Sequence, residues 1–202
     1  MLATMGSTIL VGCANQQVTR TGFIQDYNSL SPVEGSKKIF VRRPSQELLS
    51  RYNSVWVQPV EIKIPGPEDQ KALLEIAALA EKELKNTLGK DWRLANAPGL
   101  KTLRVSTALT AVHKSQPAAN IVLTIVAVPM FNGGLSAEVK ILDASGQEIG
   151  AVIWADEGVW NPVGYYSEYG HPRALTEELA KSVASTLKLD KEESSQPQNP
   201  SQ

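Results

Sequence analysis

Two amphipathic helical segments enclose a stretch of strand-like sequence, and this order restricts the chain to few folds. Apolar residues recur at helical spacing through residues 68–88, and Gly89 follows as the expected end of that helix. A second helix is predicted over residues 172–187, where Pro172 occupies the first turn. Its apolar face carries Leu175, Leu179, Val183 and Leu187.

Strand patterns precede the first helix and fill the interval between the two. Residues 55–64 and 103–111 alternate in polarity, with a change of parity at Gln58-Pro59 that fits a bulge or an edge position. Residues 121–128 are a continuous β-branched run that predicts a buried strand, with a short helix as the alternative. A β-hairpin is predicted over residues 136–154, with its turn at 143–146.

This order predicts an α+β domain, in which two main helices pack on one face of a largely antiparallel sheet. We expect a single domain over residues 21–189 and a disordered tail over residues 190–202, which contain no apolar residue. Residues 14–54 lack apolar periodicity and are expected to form a spacer and then a surface-wrapping segment. Its expected anchors on the core are Phe23, Ile24, Tyr27 and Leu30.

The composition excludes several classes of protein. The 202 residues carry a formal net charge of -1, which argues against a nucleic-acid partner. A single cysteine, Cys13, cannot form an internal disulfide. With only two histidines, the chain has little material for a zinc site, and we expect no metal and no cofactor.

The position of that cysteine predicts a lipid anchor. Residues 1–12 are small and apolar, and Leu10-Val11-Gly12-Cys13 matches the lipobox of bacterial lipoproteins. Residues 1–12 are therefore interpreted as a signal peptide, after which Cys13 is acylated and held by the bilayer. The alternative is an N-terminal strand or tail with a buried cysteine.

The residues around the lipobox refine this interpretation. Residues 13–20 are expected to form the lipidated tether, and no aspartate follows Cys13, so the outer membrane, facing the periplasm, is the expected location. The first basic residue is Arg20, although a signal peptide normally begins with basic residues, which indicates a start further upstream.

Residues 22–27 (GFIQDY), with Leu30 after them, resemble the opening G-F-L-x-D-Y-x-x-L of the Gram-negative lipoproteins called domain-of-unknown-function family 3313. Ile24 departs from the usual leucine. Three later blocks also resemble the family: Tyr52-Asn53-Ser54-Val55 with Pro59-Val60, Pro98-Gly99 with Leu103-Arg104-Val105, and Gly133-Gly134, Glu138 and Leu142-Asp143 with Gly146. The resemblance implies residence in the cell envelope and supplies no catalytic residue.

Aromatic residues are concentrated in a loop-rich segment near the second helix. Its rings are Trp154, Trp160, Tyr165, Tyr166 and Tyr169. Such loops bind sugars and protein partners because each ring contributes area at low entropic cost. The alternative is that these rings cover the end of the sheet and pack under the last helix.

Standard catalytic motifs are absent from the sequence, and the remaining candidates are few. Asp156 and Glu157 are paired carboxylates, but neighbours on a strand point to opposite faces. His113 and His171 are expected to be surface or capping residues. An acylated Cys13 has no free thiol to act as a nucleophile.

Three hypotheses follow from these observations. The first is a non-enzymatic envelope lipoprotein, anchored through Cys13, that binds an envelope protein or a glycan. The second is a glycan- or peptidoglycan-acting hydrolase that uses Asp156 or Glu157 beside the aromatic loop. The third is a structural subunit of an envelope assembly.

Overall fold

The computed structural model describes residues 18–66, 68–115, 133–157 and 167–189. The predicted signal peptide, the strand predicted over 121–128 and the tail over 190–202 lie outside these residues. The described chain folds into one mixed sheet and three helices, so the α+β prediction is confirmed. Among the described helices, none combines the length and the apolar character needed to cross a bilayer.

The sheet has eight strands, whose spatial order is β1-β2-β8-β7-β6-β3-β5, with β4 also paired to β6. The strands are β1 Ser31–Pro32, β2 Ile39–Arg42, β3 Ser54–Val57, β4 Glu61–Ile62, β5 Arg93–Leu94, β6 Thr102–His113, β7 Gly134–Leu142 and β8 Glu148–Glu157. Pairing is antiparallel from β1 through β2, β8 and β7 to β6. At the other end, β3 and β4 pair with β6 in parallel, and β5 pairs with β3 in parallel.

The parallel part of the sheet follows from the first long helix. Parallel neighbours need a crossover of a dozen or more residues, and α2, Gln70–Leu88, supplies it between β3 and β6. The segment predicted as one strand over 55–64 is two strands, β3 and β4, interrupted at Gln58-Pro59, where the prediction placed a bulge or an edge position. The sheet is therefore more mixed than the sequence indicated.

The helices begin and end where their capping residues place them. The carboxylate of Asp69 accepts hydrogen bonds from the amides of Lys71 and Ala72 and starts α2 two residues later than predicted. The last helix, α3, covers Gly170–Thr186, and a short helix, α1, covers Gln46–Leu49. Both predicted helices are thus confirmed to within two residues at each end.

Both main helices pack on one face of the sheet, as predicted. α2 contacts α3, β3 and β4, while α3 contacts β7 and β8. The core between the layers joins helix residues to alternate residues of the central strands. Its fully buried members include Leu73, Ile76, Leu84, Leu103, Leu109, Leu135, Ile141, Leu179 and Val183.

The opposite face of the sheet is partly covered by residues 18–30, which we call the docked segment. Ile24 is 2% exposed and packs with Ala151 and Ile153 of β8. Phe23 is also buried, and Tyr27 and Leu30 pack against the Ile24 cluster, so all four predicted anchors are confirmed. The tether predicted over residues 13–20 overlaps the docked segment, in which the hydroxyl of Thr19 bonds to that of Thr110 in β6.

Candidate functional site

The two described members of the aromatic group lie in the core. Trp154 is on β8 and 1% exposed, and it packs among the residues between sheet and helices. Tyr169 directly precedes α3 and is 6% exposed. Neither ring offers a face to a partner, which corrects their assignment to a binding loop and agrees with the packing alternative. Trp160, Tyr165 and Tyr166 lie outside the described residues.

Three residues meet where β6 ends and where β7 and α3 begin, and we call them the junction cluster: Ser115, Gly133 and His171. The Ser115 Oγ lies 2.9 Å from the Nδ1 of His171. The amide of Gly133 donates to both, at 3.1 Å to Ser115 Oγ and 3.3 Å to His171 Nδ1. His171 is 1% and Ser115 2% exposed, so the prediction of a surface or capping role for His171 is wrong.

The hydrogen bonds of the junction cluster connect three segments of the backbone. A ring nitrogen that accepts a hydrogen bond from an amide carries no proton, so Nδ1 of His171 is an acceptor for Gly133 and for the Ser115 hydroxyl. The same Ser–His pairing activates a nucleophile when the oxygen faces a substrate cavity. Here the serine oxygen already accepts from Gly133 and is covered, so the pair fastens three segments of backbone together.

A charged group lies beside the junction cluster. The Nζ of Lys114 lies 3.9 Å from carboxylate oxygens of both Glu68 and Glu168, and 5.2 Å from the centroid of the Tyr169 ring. The neighbouring Tyr169 side chain, helped by the charges of the two glutamates, raises the pKa of Lys114 above its ordinary value. The ammonium group therefore stays charged at neutral pH and joins the helix starts to the end of β6.

The paired carboxylates of the sequence do not converge. Asp156 and Glu157 are neighbours on β8, so their side chains lie on opposite faces of the sheet. The Glu157 carboxylate bonds the Nζ of Lys38 at 3.0 Å, and that of Asp156 accepts from the Glu157 amide. The described residues also contain no group of three histidine, cysteine or acidic side chains placed to hold a metal ion.

A buried acid on β7 is the feature that the sequence reasoning missed. Glu138 is completely buried, on the face opposite the helices. Its carboxylate accepts from the amide of Thr21 at 2.6 Å, the amide of Ile24 at 3.4 Å and the hydroxyl of Tyr27 at 2.5 Å. Glu138 and Tyr27 both belong to blocks on which the family resemblance rests, but their spacing in the sequence does not indicate that they are in contact.

The Tyr27 hydroxyl completes the attachment. It accepts from the Gly22 amide at 2.8 Å while it donates to Glu138. Gly22 has a φ of +82°, which favours glycine at this turn. Burial, together with the hydrogen bond to Glu138, raises the pKa of Tyr27 above its ordinary value, so the phenol remains a donor.

A second acid holds the next part of the docked segment. The Glu148 side chain is 1% exposed, pairs with Arg42 of β2 and accepts from the Gln25 amide at 3.1 Å. The amide of Asn28 and the hydroxyl of Ser29 hydrogen-bond Asp26 and lower its pKa, with Arg42 adding a smaller effect. The acids of β7 and β8 thus fix the family's opening block from two sides.

Three cations surround the rings of the docked segment. The Nζ of Lys140 lies 3.9 Å, and that of Lys63 5.5 Å, from the centroid of Phe23. The Arg20 guanidinium lies 5.6 Å from the centroid of the Tyr27 ring. We call the group of Arg20, Phe23, Lys63 and Lys140 the anchor face, because its first members lie close in the chain to Val18, the first described residue.

Comparison with known proteins identifies a family match over most of the chain. A family model described as a protein of unknown function, DUF3313, matches residues 19–185. The match therefore starts at the residue that bonds Thr110 and includes the docked segment, the sheet and most of α3. None of the curated proteins matches the sequence.

Solved structures are similar to this chain at low sequence identity. A chain of the PelC dodecamer from Paraburkholderia phytofirmans is 15% identical with a TM-score of 0.50, over 76% of this chain and 98% of that chain. A DUF4136 family protein from Bacteroides thetaiotaomicron is 9% identical with a TM-score of 0.39, over 74% of this chain and 97% of that chain. The first likeness concerns the fold alone.

Proposed function

Because this chain belongs to DUF3313, a family of proteins of unknown function, we propose that it is a bacterial envelope lipoprotein with a binding or structural role. Acylated Cys13 holds the protein to the outer membrane, and the α+β domain faces the periplasm. The chemistry of attachment is a lipid on the cysteine sulfur and an acyl chain on its amine, which together give stable anchoring.

The observation that carries this proposal is the position of the lipobox relative to the docked segment. The Leu10-Val11-Gly12-Cys13 motif ends five residues before Val18, where the described chain begins. By Thr21 the backbone is already bonded to the buried Glu138. A lipobox, at which a lipid is attached to the cysteine and the preceding bond is cleaved, fits a short membrane anchor when a fixed domain follows it this closely.

The test is the fate of a Cys13→Ser variant expressed in a Gram-negative host. We expect wild-type protein to incorporate labelled palmitate and to float with outer membranes, and the variant to be unlabelled and soluble in the periplasm. An Ala14→Ser variant keeps the cysteine and serves as the matched control. Retention of the Cys13→Ser protein on membranes would overturn the proposal.

The location has a separate test. In enteric bacteria an aspartate directly after the lipidated cysteine retains a lipoprotein in the inner membrane, and this chain has Ala14 at that position. We expect Ala14→Asp to move the labelled protein from outer-membrane to inner-membrane fractions of a density gradient. If wild type and Ala14→Asp share one fraction, the outer-membrane assignment is wrong.

The second part of the proposal is that the domain binds a partner and does not hydrolyse a substrate. Ser115 and His171 are buried and hydrogen-bonded to each other, and the carboxylates of Asp156 and Glu157 point to opposite faces of the sheet. Both observations support binding over hydrolysis. A glycan is tested with purified peptidoglycan sacculi. We expect the Cys13→Ser protein to sediment with sacculi and Trp160→Ala to reduce the bound fraction, whereas a variant of exposed α2, Leu74→Ala, leaves it unchanged.

A structural role through self-association is the second candidate. Leu94 on β5, the last strand of the described sheet, is 44% exposed, and Leu100 in the turn before β6 is 93% exposed. Exposed leucines beside an edge strand favour contact with a second chain. We expect Leu94→Gln with Leu100→Gln to lower the mass measured by light scattering if the protein is an oligomer; a wild-type monomer would exclude this role.

A further inference from the structure

The described chain enters the fold at a defined place on the sheet. Thr19 bonds Thr110 of β6 through their hydroxyl groups, and the Thr21 amide bonds Glu138 of β7. Both partners belong to the face that α2 and α3 do not cover. The described chain therefore begins on this face of the sheet and not in the helix layer.

The length of the connection limits how far the membrane can lie. Four residues lie between Cys13 and Val18, and the five residue-to-residue steps of a fully extended chain cover about 18 Å. A lipid on Cys13 thus keeps Val18 within about 18 Å of the bilayer surface. The anchor face begins only two residues further on, at Arg20, so it is the part of the domain held next to the lipid.

The chemistry of the anchor face suits the surface of a bilayer. Arg20, Lys63 and Lys140 place three positive groups around Phe23 and Tyr27. Lys63 has a 41% exposed side chain and a single acidic neighbour in the described ion pairs, Glu61 at 3.7 Å.

The acids of this face lie deeper than its cations. Glu138 is completely buried beneath the docked segment, where backbone amides and Tyr27 satisfy its carboxylate. The Glu148 side chain is 1% exposed and is paired with Arg42. The buried acids are therefore further from an approaching surface than the cations are, and the exposed acids near this face are Glu61 beside Lys63 and Asp26 beside Arg42.

We propose that the anchor face lies against the bilayer that holds Cys13 and binds anionic phospholipid headgroups through Arg20, Lys63 and Lys140. This inference rests on the proposed lipid anchor and adds an orientation, with the sheet toward the membrane and α2 and α3 toward the periplasm. The rings of Phe23 and Tyr27 hold the cations at the surface by cation–π contact. Lysine and arginine near an anionic surface each strengthen binding about fivefold.

The headgroup contact is measured without the anchor, on the full Cys13→Ser chain. The probes are vesicles of phosphatidylcholine alone and vesicles with one part phosphatidylglycerol to two parts phosphatidylcholine. We expect binding only to the anionic vesicles, and weaker binding as salt screens the charges. Lys63→Gln with Lys140→Gln should lower the partition coefficient about 25-fold, since two cations are lost.

Two control variants separate charge from folding in this experiment. Lys63→Arg with Lys140→Arg keeps both charges and should bind like wild type. Lys71→Gln with Lys82→Gln removes two exposed cations from α2 and should leave binding unchanged. Equal loss for the α2 pair, or equal binding to both kinds of vesicle, would overturn the proposal.

The orientation is tested on the acylated protein. Acylation blocks Cys13, so a single introduced cysteine is the one free thiol for a fluorescent label. We expect a label at Thr21→Cys to be quenched by a headgroup nitroxide, and one at Lys82→Cys on α2 to be unaffected. Equal quenching on a protein that carries palmitate refutes the orientation alone, whereas a protein without palmitate refutes the anchor.

Discussion

Glu138 and Tyr27 lie 111 positions apart in the chain, and the tyrosine hydroxyl donates to the buried carboxylate at 2.5 Å. This bond and those from the amides of Thr21 and Ile24 join the start of the described chain to the middle of the sheet. A buried carboxylate is costly unless it is fully hydrogen-bonded. The docked segment is therefore part of the fold, because it supplies the hydrogen bonds that the buried Glu138 needs and is itself held in place by them.

Glu138→Gln should release the docked segment. Both carboxylate oxygens accept hydrogen bonds, so a glutamine must turn its amide NH₂ toward one of the donors. We expect a loss of about 1–3 kcal/mol in the free energy of unfolding and faster tryptic cleavage after Arg20. Urea titration and mass spectrometry of the digest measure both. Glu61→Gln on exposed β4 is the control, and an unchanged cleavage rate at Arg20 in Glu138→Gln would contradict the prediction.

Tyr27→Phe should destabilise the protein in a pH-dependent way. The folded state raises the pKa of Tyr27 above its ordinary value of 10.0, so the stabilisation is complete below that pH and is lost as pH rises through the raised pKa. The difference in urea midpoint between wild type and Tyr27→Phe should shrink from about pH 9 to about pH 11. Tyr52→Phe, with a hydroxyl outside this network, should show no such trend.

Gly133→Ala should strain the junction cluster. A Cβ on Gly133 would lie 2.7 Å from the His113 carbonyl oxygen and 2.8 Å from both the Pro172 Cδ and the Ser115 Oγ. Because a backbone carbonyl, a proline ring and a hydrogen-bonded hydroxyl surround the position, and none of them is the end of a flexible side chain, we expect a loss of about 1–3 kcal/mol in thermal or urea unfolding.

Gly99→Ala is the matched control for Gly133→Ala. There the added Cβ meets only the side chain of Thr102, with the hydroxyl oxygen at 3.0 Å. A shift of that side chain by a few tenths of an ångström relieves the contact, so the control should stay within about 0.5 kcal/mol of wild type. A Gly133→Ala protein as stable as Gly99→Ala would show that the junction is loosely packed.

Asp143 should stabilise the β7–β8 hairpin except in acid. Burial acts to raise its pKa, but hydrogen bonds from the Ser145 hydroxyl and the Gln147 amide outweigh it and lower the pKa below 3.8. The contribution is present above that pH and disappears as pH falls through the lowered pKa. The stability difference between wild type and Asp143→Asn should therefore vanish in strong acid; a constant difference down to about pH 2 would refute this assignment.

The elements marked by a local sequence pattern were predictable, whereas those formed by contacts between distant residues were not. The apolar spacing of residues 68–88 and the hairpin turn at 143–146 are local patterns, and both elements formed where they were expected. β2 was missed because its four residues owe their strand geometry to pairing with β8. The parallel register of β3 and β6 likewise depends on how α2 crosses the sheet.

The candidate site shows the same division between local and distant information. Cys13 and the aromatic segment stand out by residue type, whereas the burial of His171 depends on Ser115 and Gly133, which are far from it in sequence. In the sequence Glu138 belongs to a block that resembles the family, and no local pattern assigns it a partner. Only the folded chain shows that the family's opening block is bonded to it.

The bond between Tyr27 and Glu138 also determines the order in which parts of the chain can fold during synthesis. Synthesis proceeds from the N-terminus, and the 111 residues between the partners take roughly 6–22 s to make at ordinary rates of translation. During that interval Phe23 and Ile24 have no β7 or β8 to cover them. The first described residues are thus among the last to find their place, and contacts of such long range slow folding. A nascent chain of this protein exposes an apolar segment until its hairpin exists, which gives a chaperone both a target and a time in which to bind it.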